Sequence, residues 1–288
     1  MGANAPRRKS EMQPSLRIVT HPCTQVLQKN APASIMAPML LAEFDRFVRA
    51  NLDLETFEPI DVSQNGIQVE RLGRNVNKAA FAVDACMESF RRAAEANAQL
   101  LFVHHGLFWG RVQVLRGVHY SRLRYLFQAD LSLYAVHLPL DAHPELGNNI
   151  GIARRLGLGD IEPFGRYRGV PIGCKGRLPT GGRLADLAAL LTSEPLAMLP
   201  FGKERIESIG VVSGGDPRAV SQAIAEDLDL FITGDASHEI YHQAQEAGIN
   251  VLFAGHYATE LYGVKQMSEH AARETGLQVA LIDVPTGL

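Results

Sequence analysis

The sequence predicts an α/β protein of two lobes with similar βαβ-containing topology and a three-layer character. Two observations carry the prediction. Short apolar runs of strand length alternate along the chain with stretches of helical periodicity, which is the pattern of βαβ units. The pattern also occurs twice, because the frame from Val83 to Val103 can be laid over that from Val212 to Ile232. This reads as a duplicated unit in preference to two unrelated units that share only periodicity.

The elements follow in order. Residues 1–35 stand apart, with Arg7, Arg8, Lys9, four prolines and a single acid, Glu11, and without the continuous apolar stretch of a secretory signal. They are expected to be disordered, or to reflect a start assigned ahead of Met36 or Met39; an organelle transit peptide is a third reading. Leu40, Leu41, Phe44, Phe47 and Val48 then recur at helical spacing. Ala80–Val83 predicts a strand, Cys86–Asn97 a helix, Leu100–Val103 a strand, Leu123–Phe127 a short helix and Leu133–Val136 a strand. Ile150–Leu156 predicts a helix that begins at Asn149 and stops at Gly157. Gly165–Pro171 and Thr180–Gly182 read as turns, and the change of lobe is expected near the first of them. The first lobe is thus assigned to residues 36–165 and the second to residues 166–288, the lobes interlacing so that C-terminal strands complete a shared site. In the second lobe a helix is expected at Leu184–Leu191, strands at Ile209–Val212, Leu230–Thr233 and Val251–Ala254, and a helix at Ala219–Glu226.

Composition narrows the function classes. A formal net charge of −3, without a Lys/Arg cluster interleaved with aromatics, argues against nucleic acid as a partner. No apolar run reaches the roughly 18 residues a membrane-spanning helix needs. The three cysteines, Cys23, Cys86 and Cys174, are odd in number and widely spaced. They argue for a reducing, cytoplasmic compartment and against a thiolate zinc site.

The chemistry sits at strand ends. Leu133–Val136 runs into His137-Leu-Pro-Leu-Asp141, and Val251–Ala254 runs through Gly255 into His256-Tyr-Ala-Thr-Glu260; a third strand ends in His104-His105. Four imidazoles and two carboxylates therefore stand where α/β proteins mount their ligands, in a cleft between the lobes. Imidazole with carboxylate suits zinc, iron, manganese, nickel or cobalt, whereas calcium and magnesium favour oxygen alone. His104 and His105 project to opposite sides of an extended strand, so they would bracket two ions rather than share one. Asp141 and Glu260 are the expected bridges. Two such ions, about 3.5–4 Å apart, can lower the pKa of a bound water toward ~7 and clamp both oxygens of a displacement. His137 is either a ligand or a group that orients a ligand or meets substrate, the latter preferred. Asp235 and His238 end the matching strand of the second half, His238 as an acid/base group and Asp235 more simply as a helix cap. Ser213-Gly-Gly-Asp216 reads as a plain turn, Phe108-Trp109 with Arg111 and Arg116 as packing and solvated charge, and His119, His143, His242 and His270 as structural. The chain has no Gly-x-x-x-x-Gly-Lys loop, Gly-x-Ser-x-Gly elbow or His-Glu-x-x-His pair.

Four segments, Val103-His-His-Gly-Leu-Phe-Trp109, Tyr134 to Asn149, Phe231-Ile-Thr-Gly234 and Ala254 to Glu260, closely resemble the Nif-three-like dinuclear metal-binding family. Its bacterial members are often labelled GTP cyclohydrolase 1 type 2 homologues. Asn65-Gly-Ile-Gln-Val69 and Ile282-Asp-Val-Pro285 resemble its terminal motifs, so the likeness spans the chain from about Leu40 onward. The resemblance implies a dinuclear metal centre at His104, His105, Asp141, His256 and Glu260, and a toroidal homohexamer built from dimers. It also implies a labelled activity, opening of the imidazole ring of GTP by attack at C8. Asp235-Ala-Ser-His238 falls where members vary, and substrate preference is expected to vary with it. The resulting expectation is a binuclear metal-dependent hydrolase that carries two divalent transition-metal ions per subunit and acts on a small nucleotide-like or phosphorylated substrate, with His137 or His238 moving the proton. The alternative is a metal carrier, cofactor-assembly helper or regulatory scaffold without turnover.

Overall fold

A computed structural model describes residues 38–288; the expectations for residues 1–35 lie outside the described residues. In chain order the elements are β1 (Met39–Leu40), α1 (Leu41–Asn51), α2 (Leu54–Phe57), β2 (Gly66–Val69), β3 (Asn75–Val76), β4 (Lys78–Asp84), α3 (Met87–Glu95), β5 (Leu100–His105), α4 (Gly117–Gln128), β6 (Ser132–Ala135), α5 (Leu138–Ala142) and α6 (Asn148–Leu156). The second half continues with β7 (Gly159–Tyr167), β8 (Val170–Gly182), α7 (Leu184–Leu191), β9 (Ala197–Pro200), β10 (Ile206–Val212), α8 (Val220–Ala225), β11 (Leu230–Thr233), α9 (Ile240–Ala247), β12 (Asn250–Phe253), α10 (His256–Thr275) and β13 (Gln278–Leu281).

Two sheets carry the lobes. The first has the order β13-β4-β5-β6-β2 and the second β7-β8-β10-β11-β12-β9. In each, three strands consecutive in sequence run parallel, with Ala79 beside Leu100 and Leu100 beside Ser132 in the first, and Ile209 beside Leu230 and Leu230 beside Asn250 in the second. An antiparallel strand flanks the third of each set, β2 beside β6 and β9 beside β12. The two lobes thus share the βαβ topology that the repeat predicted.

Both sheets are covered on both faces, which is why their central strands read as unbroken apolar runs. On the first sheet, Phe44 and Val48 of α1 and Val264 and Met267 of α10 pack against Phe81, Phe102 and Tyr134. Phe90 of α3 and Leu126 of α4 pack against Leu101 and Val103 on the opposite face. On the second, α6 and α7 cover one face through Ile152 and Leu187, and α8 and α9 cover the other through Val220 and Ile240. Each such fully buried side chain contributes about 1.5–3 kcal/mol, so this burial fixes the lobes rather than any one contact.

Two expectations need correction. The segments read as turns at Gly165–Pro171 and Thr180–Gly182 are largely strand: β7 and β8 form a long antiparallel hairpin that turns at Arg168 and Gly169. Their glycines answer to close packing, since a Cβ on Gly165 would strike the Val212 side chain and one on Gly173 the Val211 carbonyl. The assigned boundary between residues 165 and 166 therefore falls inside β7, which already belongs to the second sheet. Residues 278–281 pair with β4 in the first sheet, so the chain crosses back between the lobes at its C-terminal strand. No helix among the described residues is long and apolar enough to cross a membrane.

Candidate metal centre

The parallel strands of both sheets deliver their C-terminal ends to one crevice. β5 ends in His104-His105; β6 passes through Val136 to His137, and the short α5 that follows carries Asp141. From the second sheet, β10 leads into Ser213-Gly214-Gly215, and β12 runs through Gly255 into α10, whose first residue is His256. Glu260 lies one turn further along α10, on the face that His256 also occupies.

Glu260 is the hub. Its Oε1 lies 3.4 Å from His104 Nε2, and its Oε2 lies 3.1 Å from Nε2 of both His105 and His256. Asp141 Oδ2 lies 3.5 Å from His104 Nε2. The expected opposite projection of the two consecutive histidines takes the form of two rings, 4.6 Å between centroids, that address different oxygens of the same carboxylate. His104, Asp141 and Glu260 form one compact ligand group; His105, His256 and Glu260 form another. Of the two expected bridges, Glu260 turns both oxygens toward imidazoles. Asp141 has Oδ1 taken by Asn148 Nδ2 and Ser213 Oγ, each at 2.9 Å.

The other nitrogen of each ring is held from behind. Nδ1 of His104 lies 3.0 Å from the Val136 carbonyl, that of His105 2.9 Å from Asp84 and that of His256 2.9 Å from Asp235. Such acceptors place the ring proton on Nδ1 and leave a lone pair on Nε2, the arrangement that orients metal-bound histidine. Lone pairs on three nitrogens thus face carboxylate oxygens. His104 Nε2 and Glu260 Oε2 are buried without a hydrogen-bond partner, and in spite of the 3.1 Å separations no imidazole approaches Oε2 in hydrogen-bonding geometry. With neutral rings acceptor faces acceptor, a conflict that either a metal ion or a proton on Nε2 resolves, and the donor set of imidazole and carboxylate fits a metal.

Without metal, protons fill that role. Burial disfavours a charged ring at His105, yet Glu260 and Asp84 outweigh it and push its pKa up to about 10. Against the same opposition from burial, Glu260 and Asp235 lift His256 to about 9, and Asp141 and Glu260 raise His104. Burial alone would raise Glu260, but the surrounding imidazoles hold its carboxyl well below the usual range.

All five residues expected as ligands meet in this crevice. His137 joins them, its ring 5.1 Å from that of His104 and 5.7 Å from that of His105. His238 does not: it is exposed ahead of α9 and shares no hydrogen bond or ring contact with the cluster. Asp235 is the acceptor for His256 rather than a helix cap. The Ser213–Asp216 turn is part of the wall, because Gly214 lies at φ +64° where a Cβ would collide with Glu260 Oε1. Trp109 also lines the site, 5.0 Å from the His137 ring and 6.0 Å from that of His105. Arg111 and Arg116 remain exposed, and His143 and His270 both bond to Asn51. Sequence reasoning missed the supporting carboxylates Asp61 and Asp84. Asp84 was accessible in principle, since it ends β4 in register with His105 on the neighbouring strand.

Residues 39–286 match the Duf34/NIF3 family (NGG1p interacting factor 3). The chain is 41% identical over 286 residues to a protein of Treponema pallidum named GTP cyclohydrolase 1 type 2 homolog, and 46% identical over 250 residues to one of the same name from Archaeoglobus fulgidus. Each alignment covers 87% of this chain and all of the relative. The crystal structure of TTHA1606 from Thermus thermophilus superposes with a TM-score of 0.80 at 41% identity, over 87% of this chain and all of that one.

Proposed function

Since this chain belongs to the Duf34/NIF3 family, we propose that its centre is that of a binuclear metal-dependent hydrolase of the GTP cyclohydrolase type, acting on a small nucleotide-like or phosphorylated substrate. The observation that carries the reading is the convergence of three Nε2 atoms on the Glu260 carboxylate, with His104 Nε2 and Glu260 Oε2 buried and without a hydrogen-bond partner. His104 and Asp141 would hold one ion, His105 and His256 the other, and Glu260 would bridge them. Two divalent ions among zinc, iron, manganese, nickel and cobalt would supply Lewis acidity and lower the pKa of water toward ~7. Val136, Asp84 and Asp235 fix the three ligand rings, Asn148 and Ser213 fix Asp141, and the Gly214 backbone closes the site without a side chain. His137 serves as proton carrier at Nε2. His104 and Glu260 are buried, which favours retention of metal over the rapid release a carrier needs.

The proposal extends to a small-molecule substrate, a cytoplasmic setting and a toroidal homohexamer. Val112 is 99% exposed, and Val114, Leu115 and Val118 beside it are exposed as well, an apolar run that supports self-association. Cys86 and Cys174 are free, in keeping with a reducing compartment.

Elemental analysis of protein purified without chelator, beside the Glu260→Gln variant, tests the reading together with GTP turnover. About two transition-metal ions per chain, with metal and turnover both lost in the variant, is the expected result. Turnover that survives loss of the metal would sink it.

A further inference from the structure

We infer that Asp61 is a positioning residue, which fixes the His137 imidazole so that its Nε2 meets the attacking water as a proton acceptor. The inference rests on the proposed reading of the centre and adds to it the part of the chain that prepares His137.

The Asp61 side chain is fully buried and accepts from four donors. Ser63 N at 2.9 Å and His137 Nδ1 at 2.8 Å reach Oδ1, and Asn65 Nδ2 at 2.9 Å and Leu138 N at 3.0 Å reach Oδ2. Two of these partners are backbone N–H groups and a third is an amide NH₂, so the carboxylate acts as acceptor throughout and the His137 proton resides on Nδ1. The Nε2 lone pair is then obligatory in the neutral ring. Asn65 Oδ1 takes the His137 backbone N–H at 2.8 Å, so ring and backbone are pinned by the same short segment, residues 61–65. Trp109 packs edge to face with the ring, at an interplanar angle of 77°, with its own indole N–H given to the Gly106 carbonyl.

His137 differs from the three ligand imidazoles in what its Nε2 faces. Each of theirs lies within 3.4 Å of a Glu260 oxygen, whereas among the described residues no carboxylate pairs with Nε2 of His137. Its side chain is 20% exposed, and among the described residues Nε2 makes no hydrogen bond. A ring nitrogen of His137 nonetheless lies within 4.8 Å of those of His104 and His105, close enough to meet a water at the centre. The proton account closes on these atoms. Water oxygen bonds to the electrophilic substrate atom as its proton passes to Nε2, and the resulting imidazolium keeps its Nδ1–H on Asp61. The bond from that substrate atom to its leaving nitrogen or oxygen then breaks, and the leaving atom takes the proton from Nε2.

The test is chemical modification of the zinc-loaded full chain by diethyl pyrocarbonate, which acylates a free imidazole nitrogen, with sites located by peptide mass spectrometry. In the wild type His137 is expected to react while His104, His105 and His256 are protected. In Asp61→Asn the His137 rate should fall severalfold or more with zinc content retained, since the ring is then free to turn and to carry its proton on Nε2. Asp61→Glu, which keeps the charge, should recover part of that rate, and by comparison with wild type it also decides the matter if Asp61→Asn does not fold. An unchanged His137 rate in the Asp61 variants would overturn the inference. So would protection of His137 by zinc and its exposure on chelation, which would make it a ligand. A parallel readout uses GTP as probe: Asp61→Asn should lower kcat by about 10–100-fold and leave KM in place. If wild type binds zinc but does not turn over GTP, the substrate proposal fails while the modification rates still judge Asp61.

Discussion

Zinc affinity should rise steeply with pH across a range in which an ordinary histidine site is already level. In the metal-free centre the pKa of His105 is pushed up to about 10 and that of His256 to about 9, both by carboxylates that outweigh burial. Each ring is therefore protonated at neutral pH and must lose that proton before its Nε2 can bind a cation. Two protons leave when the ion held by His105 and His256 binds, so the apparent affinity for that ion should climb by about 100-fold per pH unit from about pH 7 to about pH 8.5. Histidines at their unperturbed pKa of about 6.5 would be deprotonated by then, and their slope would have vanished. The assay is competition between the protein and a chromophoric chelator of known zinc affinity, repeated across that interval, with an indicator dye in weak buffer to count released protons. A flat affinity above about pH 7.5, with no proton release, would refute the argument and mean that the imidazoles are neutral before metal arrives.

Three other outcomes follow from the same geometry. Raised folded-state pKa values at His105 and His256 give the metal-free protein a stability term that is fully present below about pH 6.5 and lost as pH rises through their folded values; its Tm should fall between about pH 8 and 10, while that of the zinc form should not, as calorimetry would show. The chain has one tryptophan, and it touches the rings of His105 and His137, so titration with paramagnetic cobalt should quench most of the intrinsic emission whereas an exposed residue would lose little. Gly214→Ala should cost about 1–2 kcal/mol in backbone strain and displace Glu260, lowering both Tm and metal content. Gly157→Ala, at φ +75° with open space around it, should lower Tm and leave metal content intact, and equal metal loss in both would show that the Gly214 effect is not local.

The sheets and the residues that converge in the crevice were legible in the sequence because their signals are local. Leu100–Val103, Ile209–Val212 and Leu230–Thr233 are buried on both sides and read as continuous apolar runs, and Leu184–Leu191 appears as the helix its spacing indicates. The hairpin of β7 and β8 was read as turns because glycine signals a turn and a close strand approach alike; only the positions of Val211 and Val212 tell which. His238 was a plausible acid/base group because it follows a strand in the manner of His104-His105, but the chain turns into α9 there and exposes it. Asp61 left no sequence signal, since its partner His137 is distant in sequence and joins it only when the segment before β2 folds over the end of β6.

The placement of β13 governs when the centre can exist. Strand β4 acquires its outer neighbour only when Gln278 reaches Lys78, and α10, which supplies His256 and Glu260, spans the gap between β12 and that last strand. A ribosome-bound chain in which α10 has not yet emerged carries the residues of β5 and β6 but has no Glu260 to set opposite His104. A metal ion held by this set would therefore be captured only late in synthesis, and the long sequence separation of the closing pair would slow that step. Chains cut short before α10 lose both His256 and Glu260, so an ion bound at the centre would report that both sheets and the helix between β12 and β13 have been made.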